Sequence, residues 1–356
     1  MELQNLIIDD AVSIEQNTQE NTITLKAGDS SKRLSDLIKD FPENCYINKQ
    51  ITGCGGTTLV LRNDVDYVVL VPYVNLLKSK VADNDHLDHI NIIKRGGEWT
   101  DNDAEISEQL ADRSKPRKII CTFDSLPALM KIKGFVPGEF KLLVDEAHTL
   151  VNLGSFKAPK CEFILHNYSK FASYVFLTAT PTKREYFPDL IGHLPLCTIE
   201  WDNVRAVKFN LQRLDKGVSI NNALFNLCLS FLLGREEGNA HIFYNSVKEI
   251  TQVMEWLSKI VGTDGKPVFN RDEIRLICSK SARNEKKLDT KLGAWGLVDD
   301  VVEKPVGKLN FYTSTMFEGA DIYDEHGKTY IIMCLLMENF TIAIALMDAN
   351  GISIGS

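Results

Sequence analysis

Two adjacent carboxylates, Asp145 and Glu146, follow directly after the apolar run at residues 142–144. A short apolar run is typical of a buried parallel strand, and open α/β sheets bind ligands at the carboxyl ends of such strands. An aspartate there can hold Mg²⁺, and a glutamate beside it can orient or deprotonate an attacking water. The pair therefore indicates metal-assisted hydrolysis of a phosphoanhydride, and the plainer alternative is an acidic turn after a strand.

A glycine-rich segment at residues 52–58 could bind the phosphates of such a substrate. It reads Thr-Gly-Cys-Gly-Gly-Thr-Thr and follows a predicted strand at residues 45–50. Backbone N–H groups in a glycine-rich turn between a strand and a helix can converge on phosphate. The alternative is a tight turn without a ligand. The candidate phosphate-binding residues are Gly53, Cys54, Gly55, Gly56, Thr57 and Thr58.

Further apolar segments end in polar or hydroxyl side chains and alternate with helical patterns. This alternation predicts an α/β protein with two parallel-sheet domains. The charged stretch at residues 83–112 predicts an exposed helix-loop insertion. The basic residues at 114–118 are candidates for phosphate contact, and the alternative for them is a solvated surface. The other predicted strands lie at residues 67–73, 119–122, 173–178, 239–244, 274–279 and 308–312.

Composition and charge narrow the class of protein. A chain of 356 residues with 44% hydrophobic and 25% charged residues is typical of a globular protein with two domains. The net charge of −8 gives no overall attraction to nucleic acid, so binding would depend on local patches. The eight cysteines include no C-x-x-C pair, which indicates buried thiols in a reducing compartment. We expect a cytoplasmic protein without a membrane span, because no signal peptide pattern is present.

The motifs and their order resemble the superfamily 2 helicases and translocases. The sequence Asp-Glu-Ala-His at residues 145–148 resembles the DEAH box of that family. The glycine-rich segment resembles the helicase form of the Walker A loop, T-G-x-G-K-T. Thr-Ala-Thr at residues 178–180, about thirty residues after the DEAH box, resembles motif III. The resemblance extends through motifs Ia, Ib, IV and V and covers about residues 45–325.

The resemblance implies two RecA-like parallel-sheet domains in tandem, with ATP hydrolysed in the cleft between them. The expected boundaries are an N-terminal extension at 1–40, domain 1 at 41–204 and domain 2 at 205–356, possessing motifs IV and V. ATP and Mg²⁺ are the implied cofactors. Asp145 and Thr57 would hold the metal, while Glu146 would activate water.

The resemblance also assigns coupling, nucleotide and nucleic-acid contacts. His148, Thr178 and Thr180 would link hydrolysis to domain movement. Gly319 and Asp321 of motif V would face the nucleotide across the cleft. The implied partner is single-stranded DNA or RNA, with no membrane partner and an oligomeric state left open. The residues expected to contact nucleic acid are Tyr73, Thr122, Asn245, Ser246, Thr313 and Ser314.

The sequence departs from the family at the phosphate-binding lysine. If Gly53 and Gly55 take the family's glycine positions, Gly56 stands at the lysine and Thr57 at the Mg²⁺-binding hydroxyl. A shift by one residue puts Thr57 at the lysine and Thr58 at the hydroxyl, so neither alignment supplies a lysine. We hypothesise that Lys49, one step before the loop, replaces the missing charge. The alternative is a solvated lysine at a strand end.

A second departure concerns motif VI, whose arginines neutralise the transition-state phosphate in this family. No Lys or Arg occurs from Thr329 to Ser356, which predicts a truncated or altered C-terminus. Losing both cations would cost on the order of 10³-fold or more in rate. The order of the motifs and the intact Asp145–Glu146 pair nevertheless lead us to expect an ATP-dependent helicase or translocase, and the missing cations motivate an alternative. The alternative is a non-hydrolysing nucleotide- or nucleic-acid-binding module that keeps the helicase fold.

Overall fold

The chain forms two α/β units, Met1–Val204 and Arg205–Ile354, each built on a mainly parallel β-sheet. Among the described residues, no helix is long and apolar enough to span a bilayer. The computed structural model describes residues 3–84, 86–87, 89–97, 99–152, 158–180, 182–204, 209–212, 214, 217–263, 265–279, 281–293, 306–314, 322, 324–332 and 344–348.

Ten strands form the sheet of the first unit. They are β1 (Ser13–Asn17), β2 (Thr22–Asp29), β3 (Cys45–Asn48), β4 (Tyr67–Val71), β5 (Asn91–Gly96), β6 (Trp99–Thr100), β7 (Arg117–Thr122), β8 (Lys141–Val144), β9 (Ser173–Thr178) and β10 (Leu196–Asp202). Their order across the sheet is β1-β2-β10-β3-β9-β8-β4-β7-β5-β6. Only the outer pairs β1–β2 and β5–β6 are antiparallel, so the strands from β2 to β5 all end at the same edge.

Helices cover both faces of this sheet because its central strands are apolar on both sides. In β8, Leu143 enters one buried cluster while Leu142 and Val144 enter the other. Such strands must be covered on both faces, as is usual for parallel sheets. The α-helices of this unit are α1 (Leu34–Leu37), α2 (Gly56–Arg62), α3 (Val74–Ala82), α4 (Asp103–Ala111), α5 (Leu126–Leu129), α6 (Thr149–Asn152), α7 (Ala158–Asn167) and α8 (Asp189–Gly192).

The second unit repeats the architecture with a smaller sheet. Its strands are β11 (Phe209–Gln212), β12 (Asn239–Phe243), β13 (Ile274–Ile277), β14 (Leu309–Tyr312), β15 (Gly327–Ile332) and β16 (Ile344–Asp348). They lie in the order β11-β16-β15-β12-β14-β13, and β15, β12, β14 and β13 are parallel. The α-helices that accompany them are α9 (Ile220–Leu232), α10 (Val247–Leu257) and α11 (Ala282–Leu292).

The expectation of an exposed insertion at residues 83–112 was wrong. Strand β5 lies within this stretch and pairs in parallel with β7, so the segment belongs to the main sheet. Its residue Ile93 is fully buried, and Ile106 and Leu110 of α4 join the same cluster. The many charged residues in this stretch obscured, in the sequence pattern, the few apolar residues that pack it into the core.

Two of the three basic residues at 114–118 are neither solvated nor available to phosphate, which corrects both readings for them, whereas Lys115 is exposed. Arg117 and Lys118 are fully buried. The guanidinium of Arg117 donates from Nε to Asp66 Oδ2 at 3.0 Å and lies 4.4 Å from the centroid of the Phe140 ring. Lys118 Nζ donates to Asn63 Oδ1 at 2.8 Å, and burial lowers the pKa of Lys118 to about 7. Both cations are structural.

Arg117→Ala should lower the free energy of unfolding by about 3 kcal/mol, because Asp66 loses its partner and Phe140 loses its packing. The matched control is Arg113→Ala, whose side chain is 55% exposed and pairs with Glu139 at the surface. That change should cost less than about 1 kcal/mol. Urea unfolding followed by circular dichroism measures both, and equal losses for the two variants would contradict the burial-based account.

Candidate active site

The ends of three adjacent strands build the site. Strands β3, β9 and β8 lie side by side, so Lys49, Thr178 and Asp145 meet at one edge of the sheet although they are far apart in sequence. Backbone hydrogen bonds fix the segments beyond the strands. Lys49 N donates to Thr178 O at 2.8 Å, and Ala147 N donates to Leu177 O at 2.9 Å. The parallel topology therefore determines which side chains can meet.

The acid pair is buried and its backbone is strained. Asp145 and Glu146 are 2% and 4% exposed. Glu146 has φ +50°, a left-handed conformation that costs a non-glycine residue on the order of 1–3 kcal/mol. Thr149 holds the turn, because its backbone N and its Oγ1 both donate to Glu146 O, at 2.9 and 2.7 Å. This turn directs the Glu146 side chain away from the strand path.

Thr57 is the hydroxyl that faces the acid pair. Its Oγ1 donates to Asp145 Oδ2 at 2.7 Å. Of the two alignments that the sequence left open, the one with Thr57 at the hydroxyl position agrees with this contact. In that alignment Gly56, the first residue of α2, stands where the resembled loop has its lysine. Gly55 before it has φ +83°, a conformation that glycine adopts without strain.

The position of Gly56 is tightly packed against neighbouring side chains. A Cβ added there would lie 2.8 Å from Leu177 Cδ2 and 3.6 Å from Phe41 Cζ. Leu177 is fully buried in the core, so its side chain has little freedom to move. The local packing thus disfavours any longer side chain at this position, since Leu177 would have to shift.

Lys49 lies between the two carboxylates. Its Nζ is 3.5 Å from Glu146 Oε1 and 3.8 Å from Asp145 Oδ1, and the residue is 7% exposed. Burial alone would lower the pKa of Lys49, but the two carboxylates outweigh burial and raise it. Lys49 O accepts a hydrogen bond from Trp201 Nε1 at 3.0 Å. The alternative of a solvated lysine is therefore wrong.

Lys49 affects the two acids differently. Burial raises the pKa of Asp145, yet Lys49 and the hydrogen bond from Thr57 reverse this and hold it below the ordinary aspartate value. Burial together with the charge of Asp145 raises the pKa of Glu146 in spite of Lys49. The site thus contains one carboxylate that keeps its charge and a neighbour that is a stronger base.

His148 connects the acid pair to β9. Its Nδ1 lies 2.9 Å from Thr178 Oγ1, 3.2 Å from Thr180 Oγ1 and 3.4 Å from Glu146 Oε2. Thr180 N donates to Thr178 Oγ1 at 3.1 Å. The histidine of the DEAH-like sequence and both threonines of the Thr-Ala-Thr sequence thus form one polar network with Glu146.

The other predicted residues of the first unit lie at neighbouring strand ends. Tyr73 precedes α3, two residues beyond β4. Thr122 at the end of β7 is buried, and its Oγ1 lies 2.9 Å from Ser125 Oγ. Both residues remain predictions as nucleic-acid contacts.

In the second unit, two predicted residues meet at the ends of β12 and β14. Asn245 Oδ1 accepts a hydrogen bond from Ser314 N at 3.2 Å, and both residues are exposed. Ser246 Oγ accepts from Glu249 N at 3.3 Å and caps α10. Thr313 is buried and its N donates to Ile277 O. The predicted residues Gly319 and Asp321 lie outside the described part of the chain.

Sequence reasoning missed Trp201 and Leu177. Trp201 lies on β10, which neighbours β3 only in the folded sheet, so its contact with Lys49 has no local sequence signal. Leu177 is one apolar residue among several in β9, and only the packing around Gly56 shows its importance.

Asp145 and Thr57 offer oxygen atoms that suit Mg²⁺. This ion is usually held by one or two carboxylates together with substrate phosphates and water. The hydroxyl and carboxylate oxygens, 2.7 Å apart, provide hard ligands on one side of the site. Among the described residues, no group of three or more His, Cys, Asp or Glu side chains could hold a metal.

Comparison with known proteins places the fold. No protein-family model matches the sequence, and no curated protein matches it either. Solved structures do match. Mss116p bound to ssRNA and AMP-PNP has a TM-score of 0.50 at 15% identity, over 79% of this chain and 59% of that one. S. cerevisiae Dbp5 bound to RNA and ADP BeF3 also has a TM-score of 0.50 at 15% identity, over 79% and 68%.

The chain shares the fold of these helicase structures, two RecA-like α/β domains in tandem, which confirms the predicted fold class. A third structure, S. cerevisiae Dbp5 bound to Gle1 and IP6, shares this fold at 14% identity and a TM-score of 0.50. The chain spans 59% of the length of the Mss116p chain.

Gly56→Ala should destabilise the protein by on the order of 1 kcal/mol, although alanine favours helices, because the added methyl group meets Leu177. Gly192→Ala in α8 is the matched control, since nothing lies within 4 Å of its added Cβ. The control should leave the free energy of unfolding unchanged or raise it. Thermal and urea unfolding of the two variants measure the difference, and a stabilised Gly56→Ala protein would show that the position is open.

Proposed function

We propose that the protein is an ATP-dependent nucleic-acid helicase or translocase of the superfamily 2 type. The observation that carries this proposal is the convergence of Thr57, Asp145 and Glu146 at adjacent strand ends, with Thr57 Oγ1 2.7 Å from Asp145 Oδ2. The helicase-like fold supports it. The nucleotide analogues and RNA in the similar Mss116p and Dbp5 structures agree with it.

In this proposal, the loop at residues 53–58 receives the phosphates of ATP, and Asp145 and Thr57 hold Mg²⁺. The metal, when bound, supplies positive charge that offsets the charge on the β- and γ-phosphates. Asp145 suits this role because its lowered pKa keeps it ionised at neutral pH. Thr57 aligns the ligand set through its hydrogen bond.

Glu146 is the proposed base. It accepts a proton from the attacking water as the oxygen bonds to the γ-phosphorus and the bond to the β-phosphate oxygen breaks, which yields ADP and phosphate. Its raised pKa makes it a better proton acceptor than an ordinary glutamate. The left-handed turn and Thr149 position the carboxylate before substrate arrives.

The polar network around His148 is the proposed coupling device. A change in the charge or position of Glu146 reaches Thr178 and Thr180 through a single imidazole ring, because Nδ1 faces all three partners. The proposed nucleic-acid contacts are Tyr73, Thr122, Asn245, Ser246, Thr313 and Ser314. These residues are uncharged, so in this proposal they position the strand, and local basic groups supply the attraction.

Glu146→Gln should reduce ATP turnover by about 10²–10⁴-fold and leave nucleotide affinity nearly intact, because the amide keeps the shape but cannot accept the proton. Turnover is measured with and without single-stranded DNA and RNA, and one of them should stimulate the unsubstituted protein. Glu108→Gln, at an exposed position of α4, is the matched control and should behave as the unsubstituted protein does.

Tight Mg²⁺-dependent nucleotide binding without turnover, in the presence of either nucleic acid, would contradict hydrolysis. That result would support the non-hydrolysing binding module instead. Absence of nucleotide binding would remove the ATP-dependent helicase and the nucleotide-binding module, and would leave only the nucleic-acid-binding form of the alternative.

A further inference from the structure

A lysine ammonium occupies the side of the acid pair that faces β3. Lys49 Nζ lies within 4 Å of one oxygen from each carboxylate, at 3.8 and 3.5 Å. The other carboxylate oxygen of Asp145, Oδ2, accepts a hydrogen bond from Thr57 Oγ1. A divalent cation that bridges these two oxygens must therefore displace the ammonium, and a cation at the other oxygen of Asp145 meets a carboxylate that the ammonium already neutralises.

We propose that Lys49 is the phosphate-binding cation of this site and that, without nucleotide, it neutralises Asp145 and Glu146 and keeps divalent metal out. Metal then enters together with nucleotide, when the ammonium moves from the carboxylates to the phosphate. The inference rests on the proposed function and adds a residue role and an order of binding to it.

The packing around the loop favours Lys49 over any cation within it. The added Cβ at Gly56 would meet Leu177 at 2.8 Å, so the loop is built for glycine at that position. Lys49 reaches Asp145 and Glu146 from the end of β3, two strands away from β8 in the sheet. A lysine suits this exchange because its compact ammonium sits on a flexible four-carbon stem with three donors.

Short hydrogen bonds hold the backbone of Lys49, whereas its ammonium is held by longer contacts to the two carboxylates. Thr178 and Trp201 bond its N and O, at 2.8 and 3.0 Å. The ammonium contacts both carboxylates at ion-pair distances longer than an ordinary charged hydrogen bond. Movement of the side chain toward a phosphate therefore leaves the sheet unchanged.

Lys80 on α3 provides an internal comparison. Its charge also lowers the pKa of Asp145 and Glu146, but less than the charge of Lys49 does. Lys80 is partly exposed, whereas Lys49 is buried against the pair. Lys80→Met therefore tests whether any nearby positive charge has the effect proposed for Lys49. Lys49→Met tests the direct contact of the ammonium with Asp145 and Glu146.

Two titrations test the proposal on the full chain. The first measures Mn²⁺ binding to the nucleotide-free protein by electron paramagnetic resonance. Lys49→Met should bind Mn²⁺ at least about tenfold more tightly than the unsubstituted protein, because the acids lose their internal counterion. The second measures binding of a fluorescent ATP analogue in Mg²⁺, where Lys49→Met should bind at least about tenfold more weakly. Lys80→Met should change both affinities by less than about threefold.

Unchanged nucleotide affinity in Lys49→Met would overturn the phosphate-binding role, and unchanged Mn²⁺ affinity would overturn the blocking role. If Lys49→Met does not fold, the double variant Lys49→Met with Glu146→Gln removes one buried charge and is compared with Glu146→Gln alone. We expect the double variant to bind Mn²⁺ more tightly, and the ATP analogue more weakly, than Glu146→Gln alone. Failure of the unsubstituted protein to bind the analogue would instead overturn the proposed function, and the inference with it.

Discussion

The burial of two adjacent carboxylates is the constraint on which the rest of the site depends. Asp145 and Glu146 are almost without solvent, and burying charges is costly unless they are paired and hydrogen-bonded. Lys49 meets that requirement from just before the glycine-rich loop, and Thr57 meets it from within the loop. Removing the ammonium of Lys49 would leave two buried carboxylates without a counterion. The ion pairs of Lys49 therefore stabilise the folded site and also set the charge available for its chemistry.

The sheet order makes this neutralisation possible. Because β3, β9 and β8 are adjacent and parallel, one edge collects a cation, two hydroxyls and two acids. Trp201 on β10 extends the arrangement by one strand through its bond to Lys49 O. The positions of the reactive groups thus follow from strand neighbours, and the loops between strands contribute the glycine turn and the strained residue Glu146.

Much of the site could be predicted from sequence because its residues fall at the ends of apolar runs. The acid pair, the threonines of β9 and the glycine turn all have this local signature. The role of Gly56 could not be predicted, since only the packing of Leu177 shows that the position is closed. The two alternatives for Lys49 could be separated only by its burial against the acids.

The fold class followed from strand-helix alternation, but charged segments misled the local assignments. Residues 91–96 form a strand of the main sheet because Ile93 is buried, although the surrounding charges indicated an exposed insertion. Arg117 and Lys118 lie inside the protein because Asp66 and backbone oxygens satisfy them. A charged residue in the sequence therefore indicates exposure only where the fold places no ion-pair or hydrogen-bond partner beside it.

The most direct test of the account is a crystal structure of the protein with AMP-PNP and Mg²⁺. The account predicts the triphosphate along residues 53–58, the metal beside Thr57 and Asp145, and Lys49 Nζ on a phosphate oxygen rather than on the carboxylates. A nucleotide bound elsewhere, or one bound here while Lys49 still contacts both acids, would contradict it.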